Sequence, residues 1–207
     1  MFDAALRKII DPSLDRAGRW LAARGVSANA VTLAGFAVGL LALPLLAVEA
    51  YGWALVAILL NRLSDGLDGA VARHVRLTDF GGYLDIVCDF LFYAAVPVGF
   101  ALARPEANAV AAAVLVFSFV GTGASFLAYA VLAAKRGIGT ELRGAKSFYY
   151  LGGLTEGAET IALFVLLCLW PSAFAPIAYV FAALCWVTTT TRIVAARQAF
   201  GDGPDKA

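Results

Sequence analysis

Long apolar runs separated by short polar breaks dominate the chain. Residues 31–48, 53–72, 84–103, 109–134, 148–170 and 177–196 form six such runs. Each approaches the ~20 apolar residues that carry an α-helix across a bilayer. The breaks hold turn formers and charges, for example Glu49-Ala50-Tyr51-Gly52 and Arg104-Pro105-Glu106-Ala107-Asn108. No long polar domain, repeat or low-complexity stretch interrupts the pattern. Ahead of the first run, residues 1–24 mix Phe2, Leu6, Ile9, Leu14, Trp20 and Leu21 with acids and cations. That mixture predicts an amphipathic segment on the membrane surface, interrupted at Pro12, and not a cleavable signal. The expected fold is all-α and polytopic. Residues 1–28 are a juxtamembrane segment, 29–200 a six-helix transmembrane domain, and 201–207 a polar tail.

Composition sharpens the class. Of the 207 residues 61% are hydrophobic and 15% charged, with a net charge of +1 and a mean hydropathy of +0.80. Soluble domains run nearer 45–50% apolar and ~25% charged, so part of this surface must face lipid. The same figures exclude a disordered chain, a disulfide scaffold and a nucleic-acid reader. Cys88, Cys168 and Cys185 lie inside apolar runs and read as small buried hydrophobes. All but Arg62 and Arg104 of the 16 cations fall on one side of the six-span arrangement. The positive-inside rule puts that side, with both termini, in the cytoplasm.

Carboxylates inside spanning segments are costly and default to function. Asp65 and Asp68 close the second run; Asp85 and Asp89 open the third. Residues three apart differ by ~60° around a helix and four apart by ~40°, so each pair shares a face. Two antiparallel neighbours can turn those faces together. Four carboxylates brought together need a cation, and only Arg62 and Arg73 are near in sequence. An all-oxygen acidic set suits Mg²⁺ or Mn²⁺, ions that also bind substrate phosphate. The plainer alternative is a set of ion pairs at a helix end. Gly69 and Ala72, three apart, leave a hollow beside the acids that admits a flat group such as a nucleobase, or else they serve close helix packing.

The stretch Asp65-x-x-Asp68-Gly69-x-x-Ala72-Arg73, followed by Gly81-x-x-x-Asp85-x-x-x-Asp89, resembles the signature of the CDP-alcohol phosphatidyltransferases. The gap 74–80 is one residue short of the usual spacing. Asn29-Ala30-Val31-Thr32 is similar to an element that family members carry before the first span. The resemblance covers nearly the whole chain and is nearest to bacterial inner-membrane members. It implies transfer of a phosphatidyl group from a CDP-linked lipid, such as CDP-diacylglycerol, to an alcohol, with release of CMP. Asp65, Asp68, Asp85 and Asp89 would hold Mg²⁺ or Mn²⁺, and Asp89 would share in coordination or take the acceptor proton. Asp65, Gly69, Ala72, Arg73 and Thr32 would bind the nucleotide. A homodimer in the bacterial inner membrane is a further expectation of the resemblance.

Other residues carry weaker signals. Lys135, Arg136, Arg143 and Lys146 form a basic connection, read as binding a phosphorylated polyol acceptor such as glycerol-3-phosphate or as topology-setting charge. Arg192 joins the candidate acceptor site, as does Glu156, which with Glu159 lies three apart in the fifth run. Gly35 and Gly39 form a small-residue notch for packing or a dimer face. Thr188 to Thr191 read as helix–helix hydrogen bonds. Two rival functions remain open on sequence: a divalent-cation or proton-coupled transporter, and a catalytically silent family member.

Overall fold

The computed structural model describes residues 3–137 and 153–201, with side chains from residue 11 onward. The described residues are helical, with no strand among them. They form α1 (Asp3–Ala23), α2 (Ala28–Leu40), α3 (Ala42–Ala47), α4 (Tyr51–His74), α5 (Asp79–Ala103), α6 (Pro105–Lys135), α7 (Gly157–Leu169) and α8 (Phe174–Phe200).

Local chemistry sets the breaks. Ser27 stands in extended backbone and accepts from the Ala30 N–H at 3.2 Å, starting α2. Pro44 lacks the N–H that would serve the Leu40 carbonyl, and its ring crowds that carbonyl. The first run therefore folds as two helices that meet at Leu41. Thr78 caps α5 by accepting from the Gly81 N–H at 3.0 Å. Pro105 opens α6 directly after Arg104, where a missing N–H costs nothing.

Among the described residues, four segments are long and apolar enough to cross a membrane: Ala28–Ala47, Asp79–Ala103, Pro105–Lys135 and Pro171–Phe200. The other two expected spans fall short for different reasons. The 24 residues of α4 reach ~36 Å, but they carry Arg62, Asp65, Asp68 and Arg73. The 13 residues of α7 reach only ~20 Å against a hydrocarbon core of ~30 Å. The fifth run was expected from 148, and its first residues lie outside those described. The helix itself starts at Gly157 because Glu156 caps it. A further departure is α1, which continues through Pro12 where the sequence suggested an interruption. The turns after Pro12 dock on α4: the Leu14 side chain fills the space beside Gly66, and Gly18 lies against Ala70. Tertiary contact thus offsets one lost N–H bond.

An aromatic core sits among α3 to α8. Phe100 and Phe174 stack at 4.7 Å between ring centroids, and Phe92 meets Phe164 edge-on at 6.1 Å. Trp53, Val110, Phe117, Leu169 and Val180 point outward, as lipid-facing side chains do. Glu49, in left-handed backbone (φ 59°), receives a two-pronged ion pair from Arg104 at 2.9 and 2.6 Å. That clasp joins the α3–α4 and α5–α6 connections, at the end of α5 away from its acids.

Candidate active site

The notch in α2 brings α4 close enough to share side chains. A Cβ on Gly35 would lie 2.4 Å from the Ser64 Cβ, and one on Gly39 2.8 Å from the Asn61 amide nitrogen. Only glycine fits such an approach. Asn61, buried, donates to the Gly35 carbonyl at 3.1 Å and fixes the crossing. The small-residue notch serves packing within the chain. Because α2 also packs on α5, it forms the third wall of a cleft between α4 and α5.

The four acids project into that cleft. Oxygens of Asp65, Asp85 and Asp89 all lie within 4.8 Å of one another. This trio uses one residue from α4 and two from α5, as the i,i+4 spacing of Asp85 and Asp89 predicts. Asp68 lines the same cleft but is engaged elsewhere: its Oδ2 accepts from the Thr32 hydroxyl of α2 at 2.6 Å. Arg62 donates to Asp65 at 2.5 Å, the local counter-charge expected from the sequence. The cleft is completed by Thr32, Gly35, Phe36, Asn61 and Cys88. Hard oxygen donors from two helices at this separation fit a divalent ion of the Mg²⁺ or Mn²⁺ type.

Gly69, Ala72 and Arg73 lie further along α4, outside the residues lining that cleft. Among the described residues, a Cβ beside Gly69 would meet only the Arg73 Nη1, at 3.8 Å. Open space among the described residues therefore adjoins the acids, and an arginine leans over it. Gly81 is different: a Cβ there would press on the Thr78 cap at 2.9 Å and on Asn29 at 3.2 Å. That glycine serves the junction of α5 with α2.

Sequence reasoning missed three residues of the site. Tyr93, four residues past Asp89 and on its face, donates to the Asp89 Oδ2 at 3.4 Å. Asn61 was signalled by being an amide inside an apolar run, four residues before Asp65. Cys88, assigned to the apolar interior, is buried but lines the cleft.

Of the candidate acceptor residues the structure describes Lys135, Glu156 and Arg192, and the last two both lie against Gly153. Arg143 and Lys146 lie outside the described residues. Lys135 is exposed at the end of α6. Arg192 is buried against α6, donating to the Thr122 carbonyl at 2.9 Å with its guanidinium over Phe126. Glu156 accepts from the Gly153 N–H at 2.9 Å, and Glu159 accepts from the Glu156 N–H at 3.1 Å. These two acids form a capping box for α7. Thr188 accepts from the Leu154 and Thr155 N–H groups at 3.1 and 3.2 Å, securing the strap before α7 to α8. Arg136 donates to the Ala199 and Phe200 carbonyls at the end of α8.

The chain is 59% identical over 193 residues to inner membrane protein YnjF of Escherichia coli (strain K12), covering 93% of this chain and 94% of that one. It is 27% identical over 194 residues to archaetidylinositol phosphate synthase of Pyrococcus horikoshii, covering 93% and 95%. The crystal structure of Mycobacterium tuberculosis phosphatidylinositol phosphate synthase (PgsA1) with CDP-DAG bound shares the fold, with a TM-score of 0.65 at 22% identity over 89% of this chain and 93% of that one. The same enzyme with manganese and citrate gives 0.65 at 23% identity, over 87% of each chain. The pattern that defines the CDP-alcohol phosphatidyltransferases matches residues 25–198, and the chain belongs to that family.

Proposed function

We propose that this chain transfers the phosphatidyl group of a CDP-linked lipid, such as CDP-diacylglycerol, to an alcohol, releasing CMP with the help of Mg²⁺ or Mn²⁺. The observation that carries the reading is the Asp65, Asp85 and Asp89 trio, gathered within 4.8 Å in a cleft between two helices. Asp65, Asp85 and Asp89 would hold the metal, with Asp68 beside them. The metal's contribution, when bound, is to neutralise charge on the diphosphate oxygens.

The chain's own groups account for the rest. An acceptor hydroxyl adds to the phosphorus attached to the lipid, the bond from that phosphorus to the CMP oxygen breaks, and the hydroxyl proton passes to an Asp89 carboxylate oxygen. Tyr93 donates to Asp89 and so restricts which way that carboxylate faces. The open space at Gly69 suits the cytidine, and Arg73 over it suits the phosphates.

The acceptor we favour is a phosphorylated polyol. Its support is the basic connection from Lys135 onward, with Arg143 and Lys146, together with the inositol phosphate chemistry named for two similar proteins. We also propose six crossings with α4 and α7 included, α1 lying on the membrane surface, and both termini in the cytoplasm. The distribution of cations supports that orientation. The flanking of α4 by α2, α3 and α7 supports its place inside the bilayer despite its charges.

The test is CMP release from CDP-diacylglycerol by the full chain, with Mg²⁺ or Mn²⁺, against a panel of free and phosphorylated alcohols. Asp89→Asn should abolish it. Metal flux into liposomes with no CMP formed would instead favour the transporter.

A further inference from the structure

We infer that Thr32 is a positioning residue that acts through Asp68, and that it does not serve as a contact to the nucleotide. The inference rests on the proposed function and assigns a role that the resemblance alone gave otherwise. The Thr32 hydroxyl has one proton and two acceptors in reach: the Ala28 carbonyl of its own helix at 3.1 Å and the Asp68 Oδ2 at 2.6 Å. The shorter contact falls in the range of a hydroxyl donating to a carboxylate, which is the stronger bond. Being β-branched, Thr32 has few side-chain conformations in a helix, so the donor is held in place.

The bond crosses between helices at the one acid that stands outside the trio. Asp68 is 6% exposed and sits three residues from Asp65. Without a tether, repulsion from three neighbouring carboxylates would turn it away. With one oxygen tied to α2, Asp68 keeps its other oxygen for what enters the cleft it lines. The notch at Gly35, three residues past Thr32, holds the two helices at the spacing this bond needs. Thr32 thus sets the fourth carboxylate from a helix that contributes no acid of its own.

The experiment uses the full chain in detergent. Mn²⁺ binding is read from the signal of the free ion, and CMP binding by titration calorimetry. The variants are Thr32→Val, which keeps shape and removes the hydroxyl, Thr32→Ser, which restores it, Asp68→Asn, and the Thr32→Val/Asp68→Asn double variant. Thr32→Ala stands in if the valine variant fails to fold. Loss of one hydrogen bond to a charged group should weaken Mn²⁺ binding roughly tenfold in Thr32→Val, and Thr32→Ser should recover it. On the Asp68→Asn background, Thr32→Val should cost nothing further in Mn²⁺ or CMP binding, because residues that act through one another are not additive. Unchanged Mn²⁺ binding in Thr32→Val overturns the inference, as does a full loss of CMP binding that persists without the Asp68 carboxylate. A wild-type chain that neither binds Mn²⁺ nor releases CMP overturns the proposed function itself, which separates the two failures.

Discussion

Two glycines of the same region separate what folding needs from what substrate needs. At Gly35 a new Cβ would stand 2.4 Å from the Ser64 Cβ, whereas carbon atoms rest at ~3.5–4.0 Å. The α2 and α4 helices would have to part by about 1 Å. Overpacking of this kind costs up to ~3 kcal/mol, and alanine's helix preference returns ~1. The net loss of ~2 kcal/mol corresponds to a fall of roughly 4–8 °C in Tm for a chain of this size. At Gly69 the nearest atom among the described residues is 3.8 Å away, so Gly69→Ala should leave Tm unchanged or raise it by about 2–4 °C. If the donor occupies that space, one added methyl costs ~1–3 kcal/mol, a tenfold or greater loss in kcat/KM. Thermal unfolding in detergent and CMP release measure both. A Gly35→Ala chain with wild-type Tm would refute the close approach. Wild-type kinetics in a Gly69→Ala chain of normal Tm would refute the placement of the donor.

Asp85→Asn should weaken Mn²⁺ binding by at least tenfold with little change in Tm, whereas Phe100→Ala in the aromatic core should cost about 3–5 kcal/mol and leave the metal affinity of the folded fraction alone. Glu156→Ala should lower stability by about 0.5–2 kcal/mol through the α7 cap and leave the acceptor KM where it was; a raised acceptor KM at constant Tm would place Glu156 in the acceptor site. The docking of α1 should be acid-sensitive. His74 and then Arg19, both hydrogen-bonded to Asp15, hold its carboxyl below the usual carboxylate range. Its contribution is therefore complete above an unfolded pKa near 3.9 and fades as pH falls through the depressed folded value. Spin-label distances between α1 and α4 should lengthen over that acid window in the wild type, and the dependence should vanish in Asp15→Asn.

The acids were legible because their spacing is a property of the helix: three and four residues apart, they share a face in any helical fold, and the structure brings Asp65, Asp85 and Asp89 together accordingly. What spacing does not carry is the third wall. No periodicity in residues 28–40 says that α2 sits between α4 and α5, so Thr32 reads from sequence as a ligand and from structure as a partner of Asp68. The start of α7 was hidden for another reason. Glutamate is not among the residues that usually cap a helix, and the apolar run around Glu156 and Glu159 outweighed the i,i+3 spacing of a capping box. Pro12 misled because a local cost was judged without the docking that offsets it.

The two sides of α4 also predict how this sequence is free to drift. Gly66 is filled by Leu14 of α1, so a larger side chain at position 66 is tolerable only if position 14 shrinks, and the two should covary through evolution. Among the described residues, Gly69 has no such neighbour on another helix to trade with. Constancy at that position across a lineage would record a molecule the chain meets, while exchange at 14 and 66 would record only the chain's agreement with itself.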